Sequence, residues 1–160
     1  IYARKQGDFV SDYQNSHNTV FGVDASDFKG QGNDKNTAIG YKTGYNEDRV
    51  NNRSVFVGYQ AGKNNTSTDS VFIGANTIEK GIFYNDRTIQ IGSDIQTKAT
   101  RNSVMIGHKI KNQSEFTLPV RDATIIGAEN ENSKDGVIIQ GYKNINRGEG
   151  STIIGNNITN

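Results

Sequence analysis

Ser54-Val55-Phe56-Val57-Gly58 decides the fold, because the chain keeps repeating it. Read as small-polar, apolar, any, apolar, Gly, the phrase returns as Ser70-Val71-Phe72-Ile73-Gly74, Thr88-Ile89-Gln90-Ile91-Gly92, Ser103-Val104-Met105-Ile106-Gly107 and Ser151-Thr152-Ile153-Ile154-Gly155. Looser copies end at Gly22, Gly40, Gly127 and Gly141. Self-similarity at near-fixed spacing is the mark of a solenoid and outranks local propensity. From Gly22 to Gly155 the steps are 18, 18, 16, 18, 15, 20, 14 and 14 residues, averaging about 16 to 17. Such a coil holds two short strands and two turns, and is too short for helical repeats of roughly 33 residues or more. The steps of 14 are the bare unit, and the longer ones carry an inserted loop.

Each phrase predicts a strand, since Val, Ile, Thr, Phe and Met suit a pleated, half-buried surface. Alternation sends the first and third apolar positions to one face. The pairs Val55/Val57, Val71/Ile73, Ile89/Ile91, Val104/Ile106 and Thr152/Ile154 are therefore expected to stack inside a narrow roll. The Gly then allows a sharp departure. A second strand is expected to put Thr43, Ala61, Thr77, Ile95, Ile110 and Ile158, each three residues past a phrase Gly, on the opposite wall. Asn, Lys, Asp, Gly and Ser make up the turns.

The middle position of the phrase then faces outward, yet it holds Ala38, Phe56, Phe72, Met105, Ile125 and Ile153, with Gln90 the exception. Burying one large apolar side chain contributes roughly 1.5–3 kcal/mol, so a continuous stripe of them is expected to be covered. Identical chains meeting along this stripe predict a homotrimer, the simplest cyclic rod of this kind.

Composition agrees with a roll. Only 32% of residues are apolar, against about 45–50% with Gly included in an average globular domain. Adding the 18 Gly brings this chain to 43%. Net charge is +1 with no basic block, so no electrostatic footprint for nucleic acid is expected. No run of 18 apolar residues exists, so no transmembrane helix and no membrane contact by this segment are expected. Cysteine is absent, which excludes disulfides, thiolate metal sites and a Cys nucleophile. A start at Ile1 rather than Met reads as a fragment or a processed product.

Asn102-Ser103-Val104-Met105-Ile106-Gly107, Ser70-Val71-Phe72-Ile73-Gly74 and Asn36-Thr37-Ala38-Ile39-Gly40 resemble the Asn-Ser-Val-Ala-Ile-Gly repeat of YadA-like heads, which belong to the trimeric autotransporter adhesins of Gram-negative bacteria. The resemblance runs from about Asn18 to Asn160 and departs from the family in placing large residues where Ala is favoured. It implies an all-β, left-handed parallel β-roll of about nine coils, three rolls side by side, on a stalk anchored to the outer membrane through segments absent here. Residues 1–17, with Tyr2, Phe9 and Tyr13, are expected to cap the roll, and residues 18–160 to form it. The implied role is adhesion at the bacterial cell surface, to extracellular matrix proteins or carcinoembryonic-antigen-related cell adhesion molecules. No catalytic residue, cofactor or metal is expected.

Two stretched coils offer candidate binding loops. One carries Ile82, Phe83 and Tyr84, the other Phe116, Leu118 and the only proline, Pro119. Loops on a rigid scaffold commonly carry binding, and exposed aromatic or apolar residues can anchor a partner. Two other readings remain open. One is a hexapeptide β-helix acyltransferase, for which Ile39-Gly40-Tyr41-Lys42-Thr43-Gly44 fits one hexapeptide and His17 or His108 would be the base. That fold needs the six-residue phrase three times per coil, and here it comes once. The other is a phage tail-fibre segment, also a trimeric β-rod. Gly30-Gln31-Gly32-Asn33-Asp34 has the form of a calcium-binding turn but occurs once. Gly58 to Lys63 does not have the spacing of a phosphate loop. Asn52-Arg53-Ser54 and Asn64-Asn65-Thr66 fit the glycosylation acceptor pattern, which carries little weight in a bacterial protein.

Overall fold

The computed structural model describes residues 9–10, 17–25, 34–45, 51–64, 66–79, 84–113 and 118–160. Every phrase is a strand. Thr19–Phe21, Thr37–Tyr41, Val55–Tyr59, Val71–Ala75, Ile89–Ser93, Val104–His108, Thr124–Ala128, Ile138–Tyr142 and Thr152–Asn156 lie side by side, all parallel, in one sheet, the front wall. Phrase lies on phrase in register: Val55 pairs with Val71, Phe56 with Phe72, Gly58 with Gly74. At the N-terminal edge Phe9–Val10 adds a tenth, antiparallel strand opposite Phe21 and Val20.

The three middle coils, 71–86, 89–101 and 104–121, have three strands where the spacing predicts two, and the coils 55–68, 124–132 and 138–146 have two. After the phrase comes a short strand, as at Gln96–Thr97, Lys111–Asn112 and Glu131–Asn132, in a five-stranded sheet. Before the next phrase comes another, as at Thr66–Thr68, Thr100–Arg101 and Val120–Arg121, in a second five-stranded sheet. The parallel strands stack as a β-solenoid of about seven turns, with no helix among the described residues.

The corners explain the turn composition. Two residues past the phrase Gly, the chain enters the left-handed region at Gln60, Asn76, Asp94 and their equivalents. It does so again two residues before the strand at Arg53, Asp69, Asn102 and theirs. The phrase Gly itself has φ between +124 and +144°. A Cβ at Gly40 would overlap the carbonyl oxygen of Gly58, and one at Gly58 that of Gly74. Close approach of successive coils, as much as backbone freedom, therefore demands glycine here.

The faces of the front wall are the reverse of the expectation. Ala38, Phe56, Phe72, Met105, Ile125 and Ile153 are at most 4% exposed and lie inside their own roll, so they are not an interface between chains. The pairs expected inside, such as Val71/Ile73 and Val104/Ile106, lie on the outer face, half-buried or exposed. The small polar residue explains the parity. It shares a face with the middle residue and the Gly, and it is needed inside. Ser54 Oγ accepts from the Ser70 N–H at 3.3 Å, Ser70 Oγ from the Thr88 N–H at 3.1 Å, and Ser103 Oγ from the Ala123 N–H at 3.2 Å. These hydroxyls satisfy corner amides that have no water to turn to. Once Ser and Gly face in, the residue between them must follow.

The opposite wall is as expected: Thr43, Ala61, Thr77, Ile95 and Ile110 are fully buried. Ile158, in the last coil, is half-exposed. Two hydrophobic clusters fill the roll. One contains Val20, Ala38, Phe56, Ala61 and Phe72, the other Ile95, Met105, Ile110, Ile125, Val137, Ile139 and Ile153. Gln90, fully buried between Phe72 and Met105 in the front-wall register, separates them.

Candidate assembly face and binding edge

The outward positions of the front wall form the most extensive apolar surface of the described residues. The third residue of each phrase strand makes a column in which Phe21, Ile39, Ile73, Ile106, Ile126 and Ile154 are 37–68% exposed, interrupted by Gln140. Beside it runs the first-position column, with Val55, Val71, Ile89 and Ile138. Nine strands at about 4.8 Å make a stripe about 38 Å long. Exposed apolar surface this continuous marks an interaction site. The two columns alternate with inward Ser and Gly, so the stripe follows from the phrase itself.

A polar rim borders the stripe. Tyr41 and Tyr59, one residue past the Gly in adjacent coils, stack at 5.4 Å with 20° between ring planes. Lys42 Nζ lies 5.1 Å over the Tyr41 ring and Lys143 Nζ 5.0 Å over Tyr142. Hydrogen bonding to the tyrosine raises the pKa of each lysine, Tyr41 for Lys42 and Tyr142 for Lys143.

The only two histidines belong to different settings. His108 Nδ1 is 2.7 Å from Ser93 Oγ and 3.7 Å from Asp94 Oδ2. Both neighbours address the same ring nitrogen, so the trio does not relay a proton from Ser through His to Asp. His17, expected to be solvated, has its side chain 75% exposed but is tied down: its backbone N–H donates to Asp34 Oδ1 at 2.9 Å, and its Nδ1 lies 3.1 Å from the same oxygen. That backbone bond above all, with help from Lys35, lowers the Asp34 carboxyl far below the ordinary carboxylate range. Among the described residues no group of His, Cys, Asp and Glu could hold a metal ion, and the glycines of the calcium-like turn lie outside them.

Of the candidate loop residues, Ile82, Phe83 and Phe116 lie outside the described residues. Tyr84 opens the strand Tyr84–Asp86. Leu118, 67% exposed, and Pro119, half-buried, precede the strand Val120–Arg121. They occupy the corner between the two short-strand sheets, across the coil from the front wall. The stretches 80–83 and 113–119 both fall between a strand after the phrase and the strand before the next, so this corner absorbs the variation in coil length.

The outer stripe is the feature that hydrophobicity alone assigned to the wrong residues. The signal that finds it is the Ser of each phrase, whose parity with the middle residue leaves only the first and third apolar positions outside. No family model, no curated protein and no solved structure matches this chain.

Proposed function

We propose that this chain is the head of a bacterial surface adhesin: a non-catalytic, trimeric β-rod that presents its outer corners to host receptors or extracellular matrix. The supporting observation is the apolar stripe on the outer face of the front wall. A single roll leaves Ile39, Ile73, Ile106, Ile126 and Ile154 in water, whereas three rolls meeting front to front would cover them. The resemblance of the phrases to YadA-like heads supports the same reading, together with a left-handed path and one coil for each of the nine front-wall strands. In such a rod the corner holding Leu118 and Pro119, with Phe116 nearby in sequence, would face outward, and the loop of Ile82, Phe83 and Tyr84 is the second candidate contact. Three copies on one rod would engage clustered ligands with avidity roughly 100-fold or more above a single site.

Mass in solution is the test. Light scattering on the native chain should give about three times 17.6 kDa. Ile73→Asp with Ile126→Asp, on the outer stripe, should give a folded monomer with an unchanged β spectrum. Phe72→Asp, in the interior, should instead abolish folding. A native monomer, or a double variant that remains trimeric, would sink the reading. Attachment of coated beads to host cells, lost with Leu118→Ser, reports on the binding corner.

A further inference from the structure

The sheet on the far side of the coil from the outer stripe carries an unusual juxtaposition. Thr100–Arg101 pairs in parallel with Val120–Arg121, Thr100 opposite Val120 and Arg101 opposite Arg121. Thr100 and Val120 are buried, which fixes the parity and leaves both arginines exposed. Two guanidinium side chains thus leave neighbouring rungs about 4.8 Å apart. Like charges directly opposite each other in a sheet are destabilising, and nothing in the packing requires them.

The nearby acids are engaged elsewhere. Asp86, next to Arg101 in register, pairs with Arg87 Nη2 at 3.0 Å. Asp122 accepts from Asn102 Nδ2 at 3.0 Å. Asp135 Oδ1 accepts from the backbone N–H of Arg121 at 2.9 Å. Among the described residues neither the Arg101 nor the Arg121 guanidinium has a hydrogen bond or ion pair. Arginine forks match a two-oxygen anion bidentately, and two forks on adjacent rungs are close enough at their backbones to share one such group.

We propose that Arg101 and Arg121 form a two-pronged site for a single oxyanion carried by a sugar, the carboxylate or sulfate ester of an acidic glycan. Asp86 on one side, with Asp122 and Asp135 on the other, would repel a dense polyanion. The pair therefore suits one isolated charge and disfavours nucleic acid or an anionic membrane. The inference deepens the adhesin reading by naming a ligand class on a face that trimerisation through the front wall leaves open, and it rests on that reading.

Titration calorimetry on the intact chain with a sialylated trisaccharide, a sulfated disaccharide and their neutral parent tests it. A charged sugar should bind at least 10-fold more tightly than the parent, and the two charged probes separate carboxylate from sulfate. Arg101→Ala and Arg121→Ala should each weaken binding 10-fold or more, with melting temperature and solution mass unchanged. Arg121→Lys should not restore it, because a point charge lacks the fork. Equal affinity for the neutral sugar, or full affinity in the Arg101→Ala, Arg121→Ala double variant, would overturn the site. Sugar binding without cell attachment would leave the site standing and remove the adhesin reading; attachment without sugar binding would do the opposite.

Discussion

The two ends of the roll solve the same packing problem with different residues. Near the N-terminus Phe56 and Phe72 stack at 5.3 Å, nearly parallel at 5°. Their coils offer small residues on the facing wall, Ala61 and Thr77. Glycine makes the remaining room: a Cβ at Gly62 would strike the Phe56 ring, and one at Gly44 would press on it. Toward the C-terminus the front wall carries Met105, Ile125 and Ile139. There the facing wall supplies Ile110, Asn130 and Asn144. A large residue meets a small one in the first half, and medium meets medium in the second. A coil of nearly fixed cross-section holds a nearly fixed volume, and interiors pack to crystal-like density.

Polar residues differ between the halves as well. In the C-terminal coils Asn144 replaces a facing-wall apolar residue and is fully used. Its backbone N–H donates to Asn130 Oδ1 at 3.0 Å, while its side-chain amide donates to the Gly155 carbonyl at 2.7 Å. A second ladder climbs the next corner, Asn132 Nδ2 to Asn112 Oδ1 and Asn146 Nδ2 to Asn132 Oδ1, both at 2.9 Å. These stacked amides repeat across the 20-residue step from Asn112 to Asn132 as well as the 14-residue step from Asn132 to Asn146. In the N-terminal half a buried hydroxyl also makes a contact of this kind between coils: Ser67 Oγ donates to Asn51 Oδ1 at 2.9 Å.

Phe56→Ala is expected to cost the most. The ring is fully buried, and its removal also strands the space that Gly62 and Gly44 leave for it. A cost of about 3–5 kcal/mol is expected in denaturant unfolding. Ile125→Val in the other half should cost about 0.5–1.5 kcal/mol. Equal losses would mean that the two halves do not pack by different rules.

Gln90→Met sharpens it. Gln90 Nε2 donates to Thr97 Oγ1 at 3.2 Å, but its Oε1 has no partner although the residue is fully buried. An unsatisfied buried acceptor costs about 1–3 kcal/mol. Methionine has nearly the same length and joins the Phe72 and Met105 layers. A gain of about 1 kcal/mol is expected, less than the full penalty because Thr97 Oγ1 loses one of its two donors and keeps Asn85 Nδ2. Hydrogen exchange on the native chain should show two cooperative units, which the variant merges into one. A destabilised variant would mean that the polar layer supports the roll.

Much of this architecture was legible in the phrase. Its recurrence predicts the strands, their parallel stacking and the glycine of each rung. Which face is buried was not legible from hydrophobicity, because Val55, Phe56 and Val57 are all apolar and either parity buries something. Only Ser54, whose hydroxyl is used inside, breaks the tie. The second short strand of the middle coils is not legible because Thr100–Arg101 and Val120–Arg121 have two residues each, too few to show alternation. Their arginines lie 20 residues apart, and the loop-lengthened coil between them hides their adjacency from any linear reading.

Acid should separate the halves by the smallest margin. At the N-terminal end Asp34 holds His17 and Lys35, and the backbone N–H of His17 is the main cause of its lowered pKa. Asp69, two coils on, is lowered by its hydrogen bond from Arg53, a pairing whose second contact, Arg53 Nη2 to Asp69 Oδ2, is 2.9 Å. A carboxylate lowered in the folded state stabilises it above its unfolded pKa of about 3.9 and loses that contribution as pH falls toward the folded value. In the last coils Gly136 and Gly150 stand at the position of Asp69. Between about pH 4 and about pH 2, amide protection should therefore fall first in coils 17–69 and later in coils 137–160. Both carboxylates are partly exposed, Asp34 at 31% and Asp69 at 39%, so the difference should be a few-fold, shrinking with added salt. Asp34→Asn should remove part of it, and a uniform loss of protection along the chain would show that these two ion pairs do not distinguish the ends.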